Sequence, residues 1–315
     1  MDKGATTRRH GVAELIERAQ GGVPATTAVV HPCDPTSIQG AMDAAAAGLI
    51  APIFVGPEAK IRAAATEVGA DISPFRLLPT AHSHAAAAEG VALVRRGQAQ
   101  LLMKGSLHTD EFMSAVVADG TGLRTARRIS HVYLMYPPAY PKPLLITDAA
   151  INIEPDLATK LDIVQNAIDF AHVIGIDLPK VAILAAVETV NPKMRSTLEA
   201  AALCKMADRG QITGALLDGP LALDNAISVE AAREKGIVSE VAGQADILLV
   251  PDLEAGNMLA KQLTFLAGAE AAGIVLGASV PIILTSRADS ESTRVASCAA
   301  AVLLVRAAQL AALAL

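Results

Sequence analysis

Strand-like and helix-like runs alternate along almost the whole chain, and this rhythm restricts the fold more than any single motif does. Residues 9–20 are amphipathic, with Val12, Leu15, Ile16 and Ala19 on one face. Residues 26–30 read as a strand, and 37–47 read as a helix closed by Gly48, a C′ glycine. A strand at 49–55 follows, then a helix from Pro57 to residue 68, closed by Gly69. A strand at 75–78, a helix at 83–96 and a strand at 100–103 continue the series. Helices inserted between successive strands predict parallel pairing and a doubly wound α/β sheet. The rhythm breaks once. The strand-like runs 129–136 and 143–147 are joined by Pro137-Pro-Ala-Tyr-Pro-Lys142, too short for a helix. That pair is expected to be antiparallel and to mark a domain junction. Alternation then resumes with helices at 156–174, 192–208, 228–235 and 254–267, and strands at 180–187, 212–217, 246–250 and 273–276.

One stretch near the end stands out for chemistry. Ile282, Ile283 and Leu284 form a short apolar run, followed at once by Thr285, Ser286 and Arg287. Ser290 is placed to cap a helix over 293–313. In an open α/β sheet, ligands bind outside the carboxyl ends of the strands. A helix N-terminus there favours an anion, and an arginine adds a planar fork of donors. Alone, the same residues also fit an ordinary strand–helix loop whose arginine pairs with a surface carboxylate.

The 315-residue length suggests about two domains on a prior of ~150 residues each. Apolar residues make up 52% of the chain but aromatics only 3%, so Ala, Leu, Ile and Val must fill the core. A net charge of -6 argues against a nucleic-acid partner, while leaving room for a local basic pocket. The three cysteines, Cys33, Cys204 and Cys298, have no metal-ligand spacing, and an odd count without a secretion signal fits a cytoplasmic location. The mean hydropathy of +0.41 raises the question of a membrane span. Residues 271–285 are too short and contain Pro281; residues 295–315 are Ala-rich and carry Arg306 and Gln309. Both read as interior elements, with no membrane partner expected.

Several polar clusters follow expected strands. Lys104-Gly-Ser-Leu-His-Thr-Asp110 offers close backbone approach at Gly105, a point charge at Lys104 and a cap at Thr109. Arg124, Arg127 and Arg128 concentrate positive charge before Ser130-His131. They read either as a solvated basic loop or as donors to a phosphate-rich ligand. Asp218-Gly219-Pro220 is expected just after strand 212–217 as a turn or a ligand contact. Pro251-Asp-Leu-Glu-Ala-Gly-Asn257 reads as a helix start with Asp252 as cap and Glu254 favouring the dipole. No G-x-G-x-x-G, P-loop or G-x-S-x-G pattern is present, and no Cys/His spacing suggests zinc. His31 and Cys33 stand two apart after the first strand, more in keeping with a loop cysteine than with an activated nucleophile. His82 and His84 read as surface residues, and Cys298 reads as helix core.

The ordered set Lys104-Gly105, Gly122-Leu-Arg-Thr-Ala-Arg127, Ser130-His131, Ile146-Thr-Asp-Ala-Ala150 with Asn152, Asp218-Gly219-Pro220, Pro251 to Asn257 and Ser286-Arg287 resembles the phosphate acetyl/butyryltransferase family. It spans nearly the whole chain. The Leu-Arg-Thr and Ser-Arg-Ala-Asp versions are closer to the butyryl branch, and the chain also resembles the acyltransferase half of fusions with an enoyl-CoA hydratase. The resemblance implies transfer between acyl-CoA plus phosphate and acyl phosphate plus CoA, with no metal or redox cofactor. It also implies a homodimer and two doubly wound α/β domains with an interdomain cleft, as in isocitrate and isopropylmalate dehydrogenases. The expected units are 1–145 plus 286–315, and 146–285.

The resemblance carries roles to individual residues. Arg287 is expected to hold phosphate, and Ser286 to hydrogen-bond the thiol or the developing oxyanion. Lys104, Gly105, Arg124, Arg127, His131, Asp218, Gly219, Pro220, Glu254 and Asn257 are expected around CoA and phosphate. In acetyl enzymes an Asp seven positions after the serine is proposed to deprotonate the CoA thiol; here Thr293 stands there, with Asp289 the nearest substitute and phosphate itself the alternative acceptor. The rival readings are a metal- and NAD-dependent dehydrogenase of similar architecture and a non-catalytic protein that binds CoA or acyl phosphate.

Overall fold

A computed structural model describes residues 11–286 and 289–313. The chain begins α1 (Val12–Ala19), β1 (Ala25–Val30), α2 (Pro35–Ala46), β2 (Ile50–Gly56), α3 (Glu58–Glu67), β3 (Arg76–Pro79), α4 (Ser83–Arg95), β4 (Leu101–Lys104) and α5 (Thr109–Val117). The pair β5 (Ser130–Tyr136) and β6 (Leu144–Thr147) follows with no helix between, and it is antiparallel as the short linker demands. Next come α6 (Leu157–Val173), β7 (Lys180–Leu184), α7 (Arg195–Asp208), β8 (Leu216–Leu221), α8 (Leu223–Ile227), α9 (Val229–Glu234), β9 (Ile247–Leu249) and α10 (Leu253–Ala267). The chain ends with β10 (Glu270–Leu276), β11 (Ile282–Ile283) and α11 (Glu291–Leu313).

All eleven strands join one mixed sheet in the order β3-β2-β1-β4-β11-β10-β5-β6-β9-β7-β8. β1, β2, β3, β4 and β11 are parallel to one another, and so are β6, β7, β8 and β9. Between the two arrays β10 runs antiparallel to both β11 and β5, and β5 antiparallel to β6. The arrays therefore run in opposite senses, with the carboxyl ends of β1, β4 and β11 at one end of the sheet and those of β6, β7 and β9 at the other.

The strand expected at 212–217 sits later, at Leu216–Leu221. Ile212 is buried from a loop instead, because Gln165 of α6 holds the Thr213 backbone on both sides, accepting its N–H at 3.0 Å and donating to its carbonyl at 3.1 Å. Asp218, Gly219 and Pro220 consequently lie within β8 rather than after it, on the outermost strand of the sheet, where a proline is tolerated.

On one face of the sheet a single apolar cluster runs across both arrays, from Val29 and Phe54 to Phe170 and Ile247. On the other face there are two clusters. One gathers α4, α5, Val30, Val275 and Ile282; the other gathers Met135, Ile146, Leu248, Ala260 and Ala271. His131 and Tyr133 of β5 and Gly273 of β10 lie at the boundary between them.

α11 is long and apolar enough to cross a membrane by length and composition, yet its residues 296–302 are buried in this core against β10, α1 and α2. It also repairs the sheet. β11 meets β10 only at Val275↔Ile282, so the Gly273 N–H finds no partner there and donates to Ser297 Oγ of α11 at 2.9 Å. The same hydroxyl donates to the Thr293 carbonyl at 2.7 Å. Ser297→Ala should leave the Gly273 N–H buried and unpaired and cost about 1–3 kcal/mol, read as a lower urea midpoint at unchanged m-value.

Candidate active site

The carboxyl ends of β1, β4 and β11 lie side by side. The register Ile283↔Met103 sets Leu284 beside Lys104, so the Thr285-Ser286 turn leaves the sheet next to Lys104-Gly105. Gly105 is required there: a Cβ would stand 2.4 Å from the Val30 carbonyl oxygen and 2.7 Å from that of His31. Its own N–H donates to Val30 at 2.9 Å, and the Ser106 N–H donates to His31 at 3.0 Å, tying the two strand ends together. Ser106 Oγ also donates to the His31 carbonyl at 2.8 Å and accepts the Cys33 N–H at 3.2 Å. His31 and Cys33 thus organise around Ser106, a partner that their own spacing does not reveal.

A cavity of about 420 Å³ opens beside Ser286. Its walls include Tyr133 of β5, Lys261 and Phe265 of α10, Glu270 of β10, and Asp289 and Thr293 at the start of α11. Asp289 closes the turn: its Oδ2 accepts the Ser286 N–H at 2.6 Å and its N–H donates to the Ser286 carbonyl at 3.2 Å. Arg294 Nη1 donates to the Asp289 carbonyl at 2.5 Å, and Ser290 Oγ caps the helix by accepting the Thr293 N–H at 3.1 Å. Burial raises the Asp289 pKa above the ordinary aspartate value, opposed by the Ser286 amide and by the charges of Arg294 and Lys261. A carboxylate raised in this way beside Ser286 is a stronger proton acceptor than an exposed one. Arg287 lies outside the described residues.

The other sequence-derived residues are distributed more widely. Arg124 is exposed and bridges Ala278, at the amino end of β5 and so at the opposite end of the sheet from Ser286. Arg127 pairs with Asp169 of α6 at 3.2 Å. Glu254 is exposed on the first turn of α10, whose cap is Asp252, accepting the Ala255 N–H at 2.8 Å. Asn257 donates to the Ala149 carbonyl at 3.2 Å, tying α10 to the loop after β6. In that loop the buried Asp148 accepts the N–H groups of Ala150, Ile151 and Asn152. Asp218 borders a separate cavity of about 380 Å³ shared with Asp208 and Glu240, an acidic surround unsuited to an anionic ligand.

His131 is 1% exposed, and among the described residues neither ring nitrogen has a hydrogen-bond partner. Burial pushes its pKa down to about 3, so the ring is neutral. Its ring stands edge-on to Tyr133, with centroids 4.4 Å apart. Sequence reasoning missed Tyr133, Lys261 and Phe265 as cavity residues. The signal for Tyr133 was its i+2 relation to His131 in a strand, which puts both side chains on one face.

The family model described as "Phosphate acetyl/butaryl transferase" matches residues 80–302. A phosphate acetyltransferase from Rhizobium meliloti is 64% identical over 95% of this chain and 95% of its own length. A phosphate butyryltransferase from Clostridium acetobutylicum is 43% identical over 92% of this chain and 96% of its own. The chain is thus more similar to that acetyltransferase than to that butyryltransferase, whatever the two short motifs suggested about the butyryl branch. A branched-chain phosphotransacylase from Enterococcus faecalis V583 shares the fold at a TM-score of 0.78 and 33% identity, covering 89% of this chain and 99% of that one.

The half-buried Cys33 thiol is pushed up to about 11, chiefly by burial, with Lys60 opposing the shift. Thiolate is the reactive form, so alkylation by iodoacetamide should be slow at pH 7.5 and rise steadily toward pH 10. Peptide mass spectrometry after timed labelling checks this; rapid labelling of Cys33 at neutral pH would show an activated thiol instead.

Proposed function

This chain belongs to the phosphate acetyl/butyryl transferase family, and from that premise we infer that it interconverts acyl-CoA plus phosphate with acyl phosphate plus CoA. The observation that carries the site is the pairing of Ser286 with Asp289 at the mouth of a cavity, next to Lys104-Gly105. In the direction of thioester formation, the CoA sulfur attacks the carbonyl carbon of acyl phosphate. The C–S bond forms, the C–O bond to phosphate breaks, and phosphate leaves with the electron pair. Asp289 takes the thiol proton, and Ser286 donates to the carbonyl oxygen as it gains charge. Arg287 and Lys104 neutralise the phosphate. The reaction moves a proton and an acyl group and needs neither a metal nor a redox cofactor.

The separation of the two apolar clusters on one face supports an interdomain cleft of the isocitrate dehydrogenase type, with units 1–145 plus 286–315 and 146–285. Within that division β11 and the Val275 end of β10 pack with the first unit, while Ala271 at the other end of β10 packs with the second. Arg124, exposed at the far end, is available to the phosphates of an extended ligand such as CoA. A homodimer is proposed on the family resemblance, and the free cysteines are in keeping with a proposed cytoplasmic setting. The dehydrogenase reading has less support, since the sequence relatives named above are acyltransferases.

Thiol release from acetyl-CoA or butyryl-CoA should require phosphate and survive a chelator. Activity that ignores phosphate, or that returns only with NAD and a divalent metal, overturns the transferase reading. Asp289→Asn should lower kcat at neutral pH by roughly 10²–10⁴-fold. A base is active only when deprotonated, so the wild-type rate should fall as pH drops through the raised Asp289 pKa, and this acid limb should vanish in the Asn variant. The deficit should shrink toward high pH, where a CoA thiol of pKa ~8.5 ionises unaided. Arg287→Ala should stay impaired at every pH. Full activity of Asp289→Asn at neutral pH would leave the residue as a brace for the turn only.

A further inference from the structure

Tyr133 lies in the middle of β5, a strand whose other side chains serve the core, yet its ring lines the same cavity as Ser286 and Asp289. Its hydroxyl makes no hydrogen bond among the described residues, which is unusual for a largely buried tyrosine. The ring is held firmly. His131 packs edge-on against it, and Gly273 lies across from it on β10, in register with Tyr133. A Cβ at 273 would stand 3.3 Å from Tyr133 Cε1 and 3.0 Å from His131 Nε2, so the position is kept small and the ring fits without displacement. Ser286, Asp289 and the Tyr133 phenol thus line one cavity together, with Lys261, Thr264, Glu270 and Thr293 among its other polar residues.

Building on the transferase reading, we propose that Tyr133 is a further catalytic residue, its hydroxyl donating a hydrogen bond to the acyl carbonyl oxygen opposite Ser286. The acyl carbonyl gains negative charge as the sulfur, or in reverse the phosphate oxygen, adds to it, and a donor already aimed at that position strengthens its bond at that moment. A neutral phenol is the right donor. Burial and the nearby Asp289 charge push the Tyr133 pKa up to about 12, so the proton stays on oxygen across the working range. The charged neighbours on the cavity wall are Asp289, Lys261 and Glu270, and His131 behind the ring is neutral. The wall also has an apolar part that includes Phe265, Ala260 and Ala271. That suits the acyl group rather than the nucleotide end of CoA.

The test compares wild type, Tyr133→Phe and a variant carrying a ring-fluorinated tyrosine at 133, all assayed as phosphate-dependent thiol release from acetyl-CoA. Tyr133→Phe keeps the ring and loses only the donor, so kcat should fall by about 10²–10³-fold with the KM for phosphate within about twofold. The fluorinated phenol ionises at lower pH and loses its proton sooner, so its kcat should show an alkaline limb that the wild type lacks. A tyrosine that merely packs would show neither effect. If wild type is active and Tyr133→Phe keeps its rate within about threefold, or the fluorinated protein has the wild-type pH profile, the proposal is wrong while the transferase reading stands. If wild type itself shows no phosphate-dependent transfer, the transferase reading fails and this role with it. Should Tyr133→Phe not fold by circular dichroism, the fluorinated protein, which keeps the native shape, decides alone.

Discussion

The antiparallel pairing of β10 with β5 is the constraint on which the rest of the structure depends. It runs the full length of both strands, from Glu270↔Tyr136 to Leu276↔Ser130, and it is the seam between two parallel arrays of opposite sense. Because the sense reverses there, motifs that each follow a strand in the sequence end up at two different ends of the sheet. Those after β4 and β11 gather at one end, and those after β6 and β9 at the other. Strand-end position alone therefore does not assemble one site. The residues that reach across are carried by the seam itself, at His131 and Tyr133, and by α10, whose first turns touch the loop after β6 while its last turns wall the Ser286 cavity.

A core this poor in aromatics has to be stabilised by close approach. Each buried alanine removes little area from water, so many must pack tightly to match a few large side chains. α11 shows the solution: its buried stretch from Ala296 to Val302 contains four alanines and Cys298. Small side chains let the helix approach β10 closely enough for Ser297 to satisfy a strand amide directly. That contact links core and site, because the same helix begins at the Asp289-Ser290 turn and Ser297 bonds the carbonyl of Thr293, a cavity residue. Loosening the packing would displace the first turn of α11 and the cavity wall together.

Asp289 carries two demands at once. It fixes the Ser286 turn through a hydrogen bond to the Ser286 N–H, which favours the ionised form, and it is buried enough that the net shift is toward the protonated form. The balance gives a carboxylate that is geometrically rigid and more basic than an exposed one. The fold already brings this carboxylate against the Ser286 N–H.

The sequence by itself determined the class of fold, because period and punctuation are local. The alternation of strand and helix, the missing helix at Pro137–Lys142 and the caps at Asp252 and Ser290 all depend on residues a few positions apart, and the structure has them. The family was also legible, since ordered short motifs survive as text. Tertiary structure alone decided the rest. Nothing in the periodicity of Ile212 shows that Gln165 holds that loop out of the sheet, which moved Asp218-Gly219-Pro220 into an edge strand. Arg127 reads as a free cation until folding places Asp169 beside it. Tyr133 reads as one more core residue of a strand. It lines a cavity because two apolar clusters stop short of each other over β5 and β10, and such a gap is a property of packing between distant segments, which no local pattern encodes.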